Sequence, residues 1–177
     1  MQLETERLIL RNFEAYDADR MFLLDSNPDV MKYIGMPPLN DKKDSEKIIQ
    51  MIQQQYIDNG VGRLAVIEKE SSLLIGWSGL KLLTDPINGY HNIYDLGYRF
   101  LPEFWGKGYA LESAKASLDF GFNDLKTDVI YAHAHSENNG SNHILKKLGF
   151  EKTDEFVEPD GICFWYELKK ENYFSGL

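Results

Sequence analysis

The chain has 177 residues, 43% hydrophobic and 27% charged, which suits one packed α/β domain over residues 1–177 and does not suit disorder. A net charge of −9 excludes the basic footprint of a nucleic-acid binder and favours cationic partners such as amines. A cytoplasmic protein without a membrane partner is expected: no apolar run reaches the roughly 18 residues of a span, the acidic start lacks a signal peptide's basic region, and Cys163 has no disulfide partner.

Arg7 to Phe13 is a short apolar stretch and predicts a strand. Asp17 stands where it would cap a helix over Ala18 to Leu24, which Asn27-Pro28 stops. A longer helix starts at Asn40 or Asp41, keeps Ile48, Ile52 and Tyr56 on one face, and ends at Asn59-Gly60. Strands follow at Arg63 to Glu68, Leu73 to Leu83 and Asn92 to Phe100, with Ser71-Ser72 and Asp85 to Gly89 as the turns between them. A helix from about Lys107 to Asn123 sets Leu111, Ala114 and Leu118 on one side. Val129 to Ala134 is apolar on both faces, as in a central strand. A helix over Asn139 to Leu148 stops at Gly149, and strands at Phe150 to Val157 and Ile162 to Leu168 flank the hairpin signal Asp160-Gly161.

The segment Asp95 to Glu112, DLGYRFLPEFWGKGYALE, carries the chemistry. A strand ends at Phe100, and the loop Trp105-Gly106-Lys107-Gly108 leads into a helix at Tyr109-Ala110. The glycines let a ligand approach the backbone, and the first-turn amides of a helix lack internal partners. Such a terminus holds a phosphate through local dipoles, which an acidic protein needs in order to bind a polyanion. The plain alternative is a glycine-rich turn without a ligand. The segment lacks the third glycine of a dinucleotide fingerprint, and no Walker A loop occurs.

The sequence here resembles the GNAT acetyltransferases, and within them the ribosomal-protein Rim-type branch. LETERLILRNFEAYDADRMFLL is similar to that branch's first strand and helix, and DLGYRFLPEFWGKGYALES to its fourth strand, pyrophosphate loop and third helix. Asn138 to Ser141, running on to Lys147-Leu148-Gly149-Phe150, is similar to its fourth helix and the entry to the next strand. The resemblance implies a mixed, mostly antiparallel α/β (α+β) sheet with helices on both faces. It further implies a splay between the fourth and fifth strands, Asn92–Phe100 and Val129–Ala134, where acetyl-CoA enters as co-substrate without a metal. The loop pattern [Q/R]-x-x-G-x-[G/A] falls on Trp105, Gly106, Lys107, Gly108, Tyr109 and Ala110, with tryptophan in place of Gln or Arg. Tyr98, Phe100 and Leu101 would pair with the pantetheine arm, and Asn138 matches the family asparagine that reaches the cofactor. The family's general-acid tyrosine falls at Leu145, which cannot donate a proton; Ser141, a turn earlier, is the expected substitute.

An amine attacks a thioester only when neutral, and a lysine's reference pKa is near 10.4 against about 8 for an α-amine, so a base helps. Asp95, on the strand leading to the loop, is the expected base, directly or through a water; a solvated strand charge is its plain alternative. Glu68, Glu103 and Glu112 are lesser candidates, the last also readable as an ordinary first-turn acid. A serine at the start of a helix is equally the plain alternative for Ser141. His133 and His135 alternate on one face of a strand, yet lack a third ligand at readable spacing, so packing or exposure is the simpler reading. His143 is expected at the surface and Cys163 as a packed thiol. Tyr33 and Trp77 are candidate acceptor contacts. The acceptor is expected to be a peptide or protein N-terminal amine, as the Rim-type resemblance suggests. A polyamine, amino acid or aminoglycoside is the second possibility, a non-catalytic acyl-CoA sensor is the third, and a homodimer is left open.

Overall fold

The computed structural model describes residues 1–175. Its centre is an eight-stranded sheet in the order β1-β2-β3-β4-β5-β6-β8-β7. The strands are β1 (Gln2–Glu4), β2 (Leu8–Arg11), β3 (Leu64–Glu68), β4 (Leu74–Leu83), β5 (Ile93–Phe100), β6 (Val129–His135), β7 (Glu151–Glu158) and β8 (Gly161–Lys169). Every neighbouring pair is antiparallel except β5 and β6. The helices are α1 (Ala18–Asp25), α2 (Pro28–Met31), α3 (Lys42–Asn59), α4 (Tyr109–Asn123), α5 (Asn139–Lys147) and α6 (Lys170–Ser175). This is the expected mixed sheet with helices on both faces. Strand β1 shifts the numbering, so the expected fourth and fifth strands are β5 and β6.

Alternation along the strands divides the core. Leu80, Leu96, Ile130, Ala132, Tyr166 and Leu168 pack under Ala114, Leu118 and Phe122 of α4 and Leu145 of α5. On the other face, Ala65 and Leu74 meet Met21 and Leu24 of α1 and Ile49 and Ile52 of α3. Asp41 caps α3 by accepting from the Lys43 amide at 2.9 Å, and Gly60, at φ 69°, closes it. Asp17 precedes α1 as expected but does not cap it. Its carboxylate instead takes both Nη atoms of Arg11, at 2.7 and 2.8 Å, and the Glu14 amide at 2.8 Å. Asn27 does more than stop α1: its side chain accepts from the Asp29 amide at 2.9 Å and starts α2, which carries the chain towards Tyr33. Among the described residues, no helix is long and apolar enough to cross a membrane.

Candidate active site

Parallel neighbours β5 and β6 meet in register only at Asp95 and Tyr131. Strand β5 runs on to Phe100, so among the described residues its side facing β6 has no strand partner beyond Asp95. The antiparallel contacts hold each of the two elsewhere: β5 pairs with β4 along all eight residues, and β6 follows β8. A backbone edge opened inside a sheet is a place where an extended ligand can add itself as a strand.

Below the opening, Phe100 leads to the glycine loop. Gly106 and Gly108 have φ of 72° and 83°, in the left-handed region that favours glycine. Open space surrounds the position of a Gly106 Cβ, and at Gly108 a Cβ would approach only the Arg7 guanidinium, at 3.4 Å. Gly108 stands at the N-cap of α4, where no side chain caps the helix. The first-turn amides therefore remain available to an anion. Several side chains fix the loop. The indole N–H of Trp105 donates to the Phe100 carbonyl at 2.7 Å. Arg7 donates to the Lys107 carbonyl at 2.9 Å and to Glu112 Oε2 at 2.7 Å. Thr5 donates to Glu112 Oε1 at 2.6 Å. Glu112 thus pins α4 to the turn between β1 and β2. The Tyr109 hydroxyl donates to the buried Glu68 carboxylate, whose other oxygen accepts from Ser71 at 2.6 Å. Both acids are committed to structure, and Glu103 is exposed.

On the α5 side of the opening, the Tyr98 hydroxyl stands 3.2 Å from both the Ser141 hydroxyl and the Ser141 carbonyl. Burial pushes the Tyr98 phenol up, so it remains a neutral donor. Asn138 caps α5 by accepting from the Ser141 amide at 3.1 Å, which leaves its NH₂ group free for a ligand. Leu145 is 1% exposed and packs in the core, where a phenolic hydroxyl would have no water. The buried Asn142 is an anchor that the sequence reading missed. It donates to the carbonyls of His135 and Ser136, at 3.0 and 3.2 Å, and accepts from Tyr166 at 2.9 Å.

The other face of the opening carries Asp95, Arg99 and His133. Asp95 is 2% exposed. Its Oδ2 pairs with Arg63, whose guanidinium also reaches the Asp95 carbonyl and the Gly79 carbonyl. Gly97 makes room for this arrangement, since a Cβ there would lie 2.6 Å from Arg63 Nη2. Asp95 Oδ1 lies 3.3 Å from His133 Nδ1. Burial alone would raise the Asp95 pKa, but the charge of Arg63 and the contact with His133 bring it below the usual carboxylate range. A carboxylate so held is a weak proton acceptor, and the acid expected to act as the base is enclosed. Arg63 was not singled out in the sequence, where an isolated arginine at the start of a strand carries no signal.

The two candidate acceptor contacts separate. Tyr33 lies against His135 with its ring tilted by 30° and centroids 5.3 Å apart, and lines a recess of about 340 Å³ with Lys32, Glu137, Asp160 and Ile162. Trp77 instead lies between two guanidiniums, with Arg99 at 5.0 Å and Arg63 at 5.5 Å from its ring. Arg99 reaches on to the buried Asp25 carboxylate at 2.5 Å. His135 uses both nitrogens, Nδ1 accepting from the Glu137 amide and Nε2 facing the Asp160 carbonyl, each at 3.2 Å. Among the described residues, no group of three or more His, Cys, Asp or Glu could hold a metal ion. Burial pushes the Cys163 thiol up to about 11, away from nucleophilic use.

An opened sheet with a glycine loop at a helix N-terminus defines an acyl-CoA-type transferase site. Residues 7–151 match the family described as the acetyltransferase (GNAT) domain, and the chain belongs to that family of acetyl-CoA-dependent N-acetyltransferases. It is 37% identical over 169 residues to the uncharacterized N-acetyltransferase p20 of Bacillus licheniformis, covering 95% of this chain and 88% of that one. It is 29% identical over 150 residues to spermidine N(1)-acetyltransferase of Escherichia coli (strain K12), covering 84% and 75%. The crystal structure of a GNAT-family acetyltransferase from Bacillus anthracis superposes with a TM-score of 0.81 at 26% identity, covering 97% of this chain and 99% of that one.

Proposed function

We propose that this enzyme acetylates a small or flexible cationic primary amine, which reaches the thioester from the face carrying Tyr33, His133 and His135. The opening between β5 and β6 carries this reading, because it gives the donor a backbone edge and leaves the opposite face to the acceptor. In it, the amides from Gly106 to Ala110 take the pyrophosphate, with Trp105, Lys107 and Tyr109 shaping the loop. The pantetheine arm runs along Tyr98 to Leu101, past Phe100, and the Asn138 NH₂ reaches the same arm. Ser141, already oriented by Tyr98, steadies the leaving sulfur. The acceptor's charge meets Glu137 and Asp160 at the recess beside Tyr33, while Trp77 acts at a distance by holding Arg99. The net charge of −9 draws a cation in the same direction.

A peptide α-amine, as in the Rim-type branch, is the second reading. Val157 and Ile162, paired across the β7–β8 hairpin, are 82% and 45% exposed beside the recess and offer an apolar track to an extended chain. The test is CoA release from acetyl-CoA with spermidine and, separately, with short peptides bearing a free N-terminal alanine. A higher kcat/KM with spermidine is expected. A higher value with the peptide would replace the first reading by the second. Cytoplasmic residence belongs to the same proposal, and the assembly is read by sedimentation of the purified protein.

A further inference from the structure

His133 differs from every other titratable group around the opening. It lies on β6 two residues beyond Tyr131, the last residue paired with β5, and so on the rim of the gap. Its side chain shares a face with Asp95, opposite the face of Tyr98 and Ser141. Nδ1 and Asp95 Oδ1 are both buried and lie 3.3 Å apart, and among the described residues neither atom has a hydrogen-bond partner. Yet the side chain keeps 33% of its surface exposed while Nδ1 itself is buried. The ring is clamped: Trp165 lies nearly parallel to it at 17° and 6.2 Å, and Phe156 meets it edge-on at 6.0 Å.

We propose that His133 is the general base, with Asp95 as the positioning residue that holds Nδ1–H and leaves the Nε2 lone pair towards the acceptor. This rests on the amine-acetyltransferase reading of the same opening. The acceptor nitrogen forms its bond to the acetyl carbon while its proton passes to Nε2. The C–S bond breaks, its electron pair leaves on sulfur beside Ser141, and the imidazolium returns its proton to the thiolate or to water. One amine and acetyl-CoA become one amide and CoA. Arg63 fits the scheme, since it keeps Asp95 ionised and thus an acceptor for Nδ1–H. The charged groups facing His133 are Asp95 from β5, Arg63 ahead of β3 and Glu158 from β7; Trp165 and Phe156 complete its surroundings. Burial pulls the imidazole down, but Asp95 outweighs it and the net shift is upward, with Arg63 opposing and Glu158 adding. An upward shift from the ordinary imidazole value makes the ring a stronger proton acceptor.

The test is the pH dependence of kcat/KM for spermidine with the whole chain, wild type and His133→Gln. The wild type should rise through an inflection above 6.5 and level off. His133→Gln should lose about 10²- to 10⁴-fold near pH 7 and lose that inflection, with CoA affinity unchanged. Asp95→Asn should move the inflection down. A His133→Gln enzyme within threefold of wild type, or with the same inflection, overturns the proposal while the acetyltransferase reading stands. Absence of CoA release by wild type with any amine would remove both. Imidazole nitrogen NMR of the unmutated protein needs no variant: Nδ1–H is expected at pH 8, and an Nε2–H tautomer there would overturn the assignment.

Discussion

At the residue scale, the donor site separates backbone from side chain. Gly108 has φ 83° and borders open space that a ligand would need. Gly108→Val adds both strain and bulk there, and calorimetry should show CoA binding abolished or cut at least about 100-fold. Lys107 is exposed and rests its ammonium 5.0 Å from the Phe104 ring. Lys107→Ala should weaken CoA by no more than about 1 kcal/mol, and equal losses from the two changes would make the lysine the anchor instead. Ser141 is a second such case. A thiolate with a reference pKa near 8.5 leaves readily, so one hydroxyl donor supplies roughly 0.5–1.5 kcal/mol. Ser141→Ala should lower kcat by about two- to thirteen-fold, and a loss beyond about 10³-fold would make it an essential acid. Leu145→Tyr should not rescue it, because position 145 points into the core.

At the scale of elements, the Asn142 side chain ties α5 to the end of β6 by hydrogen bonds that add to the packing of Leu145. Asn142→Ala leaves the buried Tyr166 hydroxyl without its acceptor and the half-buried Ser136 carbonyl without its side-chain donor, while the His135 carbonyl keeps the Asn138 amide. Urea unfolding should report a loss of about 1–3 kcal/mol, with kcat falling as Ser141 drifts from the opening. The same region marks where the sequence stops being legible. Periodicity and caps locate α3, α4 and α5, and turn chemistry locates the β7–β8 hairpin, because those signals are local. Strand β1 escapes them: its three residues become a strand only by pairing Leu3 with Leu10. Helix α6 depends on the burial of Tyr173 under α4. The glycine loop is legible for the same local reason. The Arg63–Asp95–His133 line is not, since it joins three separated segments through contacts that exist only once β4, β5 and β6 are side by side.

For the molecule as a whole, acid stability is a balance between buried carboxylates of opposite tendency. Burial raises Glu112, but Thr5 and Arg7 outweigh it, so its folded pKa is below the ordinary value; Ser71 and then Tyr109 lower Glu68. A lowered carboxylate adds stability that is present above its unfolded pKa and is lost as pH falls through the folded one. Asp25 runs the other way. Burial raises it more than Arg99 lowers it, so its contribution is complete below the unfolded pKa and fades as pH rises through the folded value. His133 shares that sign, but its pKa is raised from the ordinary imidazole value and so lies outside the carboxylate range. Removing each type of carboxylate should therefore bend the stability curve in opposite directions. Urea midpoints measured between about pH 5 and pH 3 should fall less steeply with acid in Glu112→Gln than in the wild type. In Asp25→Asn they should fall more steeply, because the group that opposed the loss is gone. Both variants start from a lower midpoint at pH 7, since Arg7 or the buried Arg99 loses its partner, and the slope rather than the level carries the comparison. A flatter curve in Asp25→Asn would mean that Arg99 dominates over burial and holds Asp25 ionised well into acid.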